Sequence, residues 1–187
     1  MAIDLTKSVG GVWKIIYDPD SANIDCGATD TGGIQFTATP SIIPVLAEET
    51  GGCVIKALNQ GLTTFEVSTT LKEINNFNLW TNAIIAPAWT ATTGTTASYG
   101  VVFKEGVIGL DVIAAHAKKW HLLSRSDTTN DPFKLVVYAA LCVAPIAFTM
   151  SGQAVRRLPL RLFGTRNSSG NFGAYGHTAY LAGANLD

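Results

Sequence analysis

The sequence predicts a mainly β protein: a sandwich or barrel of short strands with one α-helix on its flank. Three observations predict it. Apolar and polar residues alternate strictly in Gly33–Thr39 and again in Leu62–Leu71. Side chains alternate along a strand, so each segment has one buried face and one wet face. Only one stretch, Glu73–Ile85, carries the three-to-four spacing of a helix. Elsewhere short apolar runs are separated by turn-forming residues, the pattern of an all-β layer architecture.

Each element follows in order. Val12–Tyr17 is a first strand, ended by Asp18-Pro19-Asp20-Ser21. A Gly32-Gly33 turn opens the second strand, Gly33–Thr39. Ile34, Phe36 and Ala38 share its apolar face; Gln35, Thr37 and Thr39 share the other. Pro40–Gly52 is a long connection, and Pro44 argues against a central strand there. Cys53–Leu58 and Leu62–Leu71 form a hairpin around a turn at Asn59-Gln60-Gly61. In its second strand Phe65, Val67 and Leu71 oppose Thr64, Glu66, Ser68 and Thr70. In the helix Glu73–Ile85, Ile74, Phe77, Trp80 (with Leu79), Ile84 and Ile85 recur at three-to-four spacing, and Pro87 follows as a stop. Ala88–Gly100 is polar and irregular. Val101–Phe103 and Val107–Ala114 are short strands, and Lys119–Ser124 is another with Trp120 and Leu122 on one face. Phe133–Cys142, Ile146–Met150 and Leu158–Phe163 complete the set. There is no internal repeat, and residues 1–187 read as a single domain.

Composition narrows the function classes. The chain is 47% hydrophobic and only 14% charged, with net charge −1. Typical domains carry about 25% charged residues. So few charges favour a subunit that buries its exterior against copies of itself. The balance also argues against a dedicated nucleic-acid binder, which shows a basic stripe. Met1–Gly11 lacks the apolar run of a signal peptide. The longest apolar run, Leu135–Met150, falls short of the ~20 residues that span a bilayer, and Pro145 interrupts it. No membrane partner is expected.

Nothing announces catalysis, so no enzyme activity, metal or cofactor is expected. Cys26, Cys53 and Cys142 are widely spaced, with no Cys-x-x-Cys pair. His116, His121 and His177 lack metal-ligand spacing. No nucleophile elbow is present. Gly164–Gly173 is Gly-rich but lacks the Gly-Lys-Ser/Thr of a phosphate loop and reads as a turn and extended tail. Arg156, Arg157, Arg161 and Arg166 form the one basic cluster. It is either a solvated strand edge or a partner for Glu48 and Glu49 of a neighbouring copy.

The order of elements resembles the tail tube proteins of tailed bacteriophages. Ile24-Asp25-Cys26-Gly27-Ala28-Thr29 matches a "dlG.T..G" segment, Glu49-Thr50-Gly51 an acidic-plus-Gly loop, and Glu73 with Asn75 and Asn76 a helix start. The basic strand Leu158–Phe163 and the Gly-rich Gly164–Gly176 resemble the family's closing strand pair. Cys26 stands where the family often has Leu. The resemblance implies a structural virion protein with an N-terminal arm, an inter-ring loop at about 40–52 and a C-terminal extension. Six-subunit rings would join their strands into one inner β-barrel. The rings would stack into the hollow phage tail, assembled in the host bacterial cytoplasm. Expected partners are a tape measure protein in the lumen, tail terminator and baseplate or distal tail proteins, and double-stranded DNA in non-specific transit during genome ejection. On this reading Gln35, Thr37, Thr39, Thr64, Glu66, Ser68 and Thr70 line the lumen, with no Lys or Arg at the centre of those strands. Ile42, Ile43, Val45, Leu46, Glu48 and Glu49 form the inter-ring loop, and the four arginines lie between subunits. The rivals are the tube of a contractile injection system and, from another class, a β-sandwich carbohydrate-binding module. The latter should expose aromatics on one sheet face.

Overall fold

The computed structural model describes residues 13–47, 53–72, 79–80, 90–95, 98–103, 113, 116–124, 133–142, 157–177 and 181. These residues are mainly strand. The strands are β1 (Trp13–Tyr17), β2 (Ile24–Ala47), β3 (Cys53–Leu71), β4 (Thr90–Thr95), β5 (Ser98–Phe103), β6 (Lys118–Ser124), β7 (Phe133–Cys142), β8 (Leu158–Thr165) and β9 (Gly173–His177). All pairings among them are antiparallel. The main sheet runs β6-β1-β2-β3-β8-β7-β9, and β6 also pairs with β7. Pairing therefore returns to its start around the core. β7 makes this possible by dividing one edge between two partners, β9 along Phe133–Val137 and β8 along Ala139–Cys142.

The inward faces fill the ring. Ile15, Trp120, Leu122, Val137, Leu158, Leu160, Leu162, Val67 and Leu71 are all buried. The Trp120 ring meets Tyr17 edge-on at 4.9 Å, and its Nε1 donates to the Ala140 carbonyl at 3.2 Å. That bond removes the cost of burying an indole N–H. Leu79 and Trp80 have helical backbone and are buried in the same cluster, as the expected helix requires of Trp80. The remainder of Glu73–Ile85, with Ile74, Phe77 and Ile84, lies outside the described residues, as does Ile146–Met150. Among the described residues no helix is long and apolar enough to cross a membrane.

The segment that resembles the phage motif has a structural role. Gly27 adopts φ +88° at a bulge between β1 and β2, and its N–H is bonded by Asp25 Oδ1 at 2.9 Å. Thr29 is buried and accepts from the Trp13 N–H at 2.9 Å. Gly supplies the left-handed backbone that such a bulge needs.

Several expectations are corrected. Gly32-Gly33 does not open a new strand. β2 is one strand of 24 residues, and the pair is a bulge with Gly33 at φ +69°. Pro40–Ala47 is strand, not connection. It continues β2 and pairs with Cys53–Leu62. β2 has no described partner on its other side there, and an edge strand is where proline is tolerated. Asn59-Gln60-Gly61 is not a turn either. β3 runs unbroken for 19 residues, with Gly61 at φ +91° and its N–H held by Asn59 Oδ1 at 2.8 Å. The described part of Ala88–Gly100 is not irregular: β4 and β5 pair as a separate two-stranded sheet. At the described end of Val107–Ala114, the Ala117 N–H bonds the Ile113 carbonyl at 3.0 Å, a helical turn in place of a strand end. The Gly-rich segment turns at Asn167–Asn171 and then forms β9 rather than an extended tail.

Candidate functional site

β2 and β3 make a two-stranded arm. Near its base β1 flanks β2 up to Ala28, and β8 flanks β3 from Glu66 to Leu71. Beyond those points neither strand has another described partner. The register decides which side chains share a face. Gln35 pairs with Ser68, Thr37 with Glu66, and Thr39 with Thr64. Directly opposed residues point to the same side. All seven polar residues expected to act together, Thr70 included, therefore lie on one face of the arm's base.

That face also receives β8, which the alternating strands of the arm did not reveal. Arg161 pairs with Ser68 and reaches Glu66 with two bonds, Nε at 3.2 Å and a terminal nitrogen at 2.7 Å. The two arm strands carry no Lys or Arg at the centre of this face, but β8 adds a guanidinium to it, neutralised by the Glu66 carboxylate. The pair is largely exposed, worth about 0–1 kcal/mol, so its role is to cancel charge rather than to stabilise. The signal was available in Leu158–Phe163. Leu158, Leu160 and Leu162 are buried, and Arg157, Pro159 and Arg161 alternate outward. The long-range pairing of β8 with β3 was not.

The basic cluster divides accordingly. Arg157 binds Asp30 at 2.9 Å, Arg161 binds Glu66, and Arg166 lies over the Phe172 ring at 5.4 Å. Arg156, Glu48 and Glu49 lie outside the described residues, as do the side chains of Leu46 and Cys53. The Thr31 amide, helped by Arg157 and Lys72, holds the Asp30 carboxyl below its usual value. An open depression of about 460 Å³ lies on this polar face, bordered by Asp30, Gln35, Ser68, Thr70 and Arg161 among others. Pro159 and Leu160 add apolar surface to the amide, hydroxyls and paired charges of its lining, which holds neither His nor Cys. Cys26 and Cys142 are buried, and burial pushes the Cys26 thiol up to about 12. No group of three or more metal-binding side chains occurs among the described residues.

The opposite face is apolar. Phe65 and Val67 are buried, and Ala38 and Phe36 pair with them. Gly164 and Gly173 make room for the Phe65 ring: a Cβ on Gly164 would lie 2.9 Å from Phe65 Cδ1, and one on Gly173 only 2.6 Å from the Val136 carbonyl. A row of rings follows in the order Phe133, Tyr175, Phe36, Phe65, Phe172, with centroids 6.0 to 6.5 Å apart. Phe36 and Tyr175 remain 48% exposed. Sequence reasoning assigned no part of this row beyond the core face of the arm, because β9 was not foreseen. Past Pro40, Ile42, Ile43 and Leu58 are exposed large apolar residues among the described side chains. Val45 is half-buried. No known protein family matches the chain, and no curated protein is similar to it.

Proposed function

We propose that this chain is the tail tube protein of a tailed bacteriophage. Copies join arm to arm in rings, and the rings stack into a hollow conduit for double-stranded DNA. One observation carries the reading: the arm has a neutral polar face at its base, and beyond Ala28 on β2 and before Glu66 on β3 its two outer backbone edges have no described partner. An unpaired edge is a template for another chain, and a closed ring uses every edge. Arms set side by side alternate β2 and β3, so neighbouring copies would meet antiparallel, as the strands do within one chain. The polar faces would then form one inner wall. Its hydroxyls, amide and Glu66–Arg161 pairs offer duplex DNA no net positive charge to hold it. Apolar residues beyond Pro40 form the contact between rings, in the segment whose sequence already suggested that role. In this reading a tape measure protein fills the lumen during assembly, and terminator and baseplate proteins close the two ends.

Negative-stain microscopy of the purified protein tests the proposal. Rings or tubes with a central channel are the expected result. A monomer that neither forms rings nor elongates across a wide range of concentration and salt would overturn it.

A further inference from the structure

Along the arm the polar face is neutral, but at its inner end, beside the start of β8, the charges no longer balance. The register sets Gln35, Ser68 and Arg161 side by side in one row across β2, β3 and β8. Thr70 lies in the next row on the same face, beside Pro159. Between the pairs Thr29–Leu71 and Ile34–Thr69, four residues of β2 stand opposite Thr70 alone. That surplus forms a rim, with Asp30 and Gly32 on the border of the depression of about 460 Å³. Arg157 and Lys72 both bind Asp30, at 2.9 and 3.7 Å, and Arg161 binds Glu66. Three cations thus answer two carboxylates, an excess of one positive charge. The acids also sit deeper. The Asp30 and Glu66 side chains are 13% and 29% exposed, and the three cations 41% to 59%. Solvent therefore meets the cationic side of the cluster.

The rim carboxylate is already matched. Asp30 Oδ1 accepts from the Thr31 N–H at 2.8 Å and faces Lys72, and Oδ2 faces Arg157. Arg161 spends Nε and one terminal nitrogen on Glu66 and keeps its second terminal nitrogen for a ligand. A guanidinium flanked by hydroxyls supplies the donors that a phosphate-type oxyanion needs. We infer that the depression is a site for a small oxyanion of the phosphate type. Arg161 and the Ser68 and Thr70 hydroxyls hold it, and the unmatched charge beside Asp30 draws it in. A phosphate group occurs on a free ion and on a nucleic-acid backbone. The recess behind the rim favours the compact free ion. A bound ion cancels the surplus charge, so the inner wall of a tube stays neutral toward DNA. The inference goes beyond the tube reading: the site lies within one subunit and does not need rings to form.

Isothermal titration calorimetry of the full wild-type chain with inorganic phosphate tests the site, with chloride at matched ionic strength as the control. Saturable one-to-one binding of phosphate, absent with chloride, is expected. Arg161→Gln should weaken it about tenfold or more, the loss of a charged hydrogen-bond partner. Glu66→Gln should tighten it by up to about fivefold, the worth of one exposed ion pair, because Arg161 then turns wholly to the ion. A merely structural Arg161–Glu66 pair would move both variants in the same direction, so opposite shifts mark the site. Thermal melts check that both variants stay folded. Phosphate heats no different from chloride, or Arg161→Gln that binds as the wild type does, would overturn the site, and rings seen by microscopy would still leave the tube reading standing. A short DNA duplex is titrated in parallel. A duplex that binds, excludes phosphate and is lost in Arg161→Gln would assign the site to a nucleic-acid backbone. That result would overturn both the free-ion site and the conduit reading.

Discussion

The base and the tip of the arm belong to the same two strands, yet only the base is covered by its own chain. At the base, Phe65, Val67 and Leu71 are buried against β8, β9 and the core. At the tip, Ile42, Ile43 and Leu58 stay open. Local pattern does not explain the difference, because both halves are rich in apolar and β-branched residues. Coverage does. Alternation fixes which side chains share a face; the strands that arrive from elsewhere in the chain decide whether that face is buried.

The sharpest way to break the comparison is to treat the two kinds of apolar residue alike. Trp120→Ala, at a fully buried core position, should cost about 3–5 kcal/mol. I43D/L58D should change subunit stability by no more than about 0.5 kcal/mol. Urea melts of the two variants check this. A large loss in I43D/L58D would mean that the tip is part of the subunit core.

Alkaline pH probes the buried core without mutation. Burial raises Tyr17 from 10.0 and Cys26 from 9.0, each to about 12. A raised pKa contributes stability below the unfolded value and loses it as pH climbs through the folded value. The subunit should therefore weaken progressively from about pH 9 to pH 12, and Cys26→Ala should delay the onset. Denaturant midpoints measured across that range are the check.

Gly173→Ala attacks the seam between base and core. The new Cβ would press on the Val136 carbonyl and the Phe65 ring. Overpacking of this kind costs about 1–3 kcal/mol. Thermal melts should show the loss, and Tyr175 should become more accessible to iodination as β9 loosens. The smallest expected effect is that of Glu66→Gln, which leaves Arg161 unneutralised on the polar face. Assembled protein should then retain duplex DNA up to about tenfold more tightly at low salt, and lose the difference near 0.2 M salt. Filter binding measures it, and an unchanged salt dependence would place that face away from DNA.

Much of the fold was legible in the sequence. β1, β6, β7 and β8 stand close to where alternation and turn residues put them, and the seven polar residues share one face as the pattern demanded. The errors have a common physical cause. Gly32-Gly33, Pro40 and Asn59-Gln60-Gly61 carry the same local chemistry whether the chain turns or bulges. Thr69, whose hydroxyl donates to the Gly33 carbonyl at 2.7 Å, is one of the distant partners that settle the matter. β4 escaped notice because Thr90–Thr95 has β-branched residues but no apolar alternation. Arg161 and the aromatic row needed long-range neighbours, β3 and β9, that no local pattern names.

The irregularities of the arm have a further consequence, for the safety of its open edges. A long, straight strand edge recruits any extended peptide and seeds fibrils. Here β2 interrupts its edge with Pro40 and Pro44, and β3 carries an unmatched residue at each of three places, near Thr63, Gln60 and Ile55. An arbitrary strand laid along either edge would soon fall out of step and leave amides unbonded. A second molecule of the same protein brings the same interruptions at fixed spacing. Misfit thus guards the open edges of the arm against promiscuous aggregation.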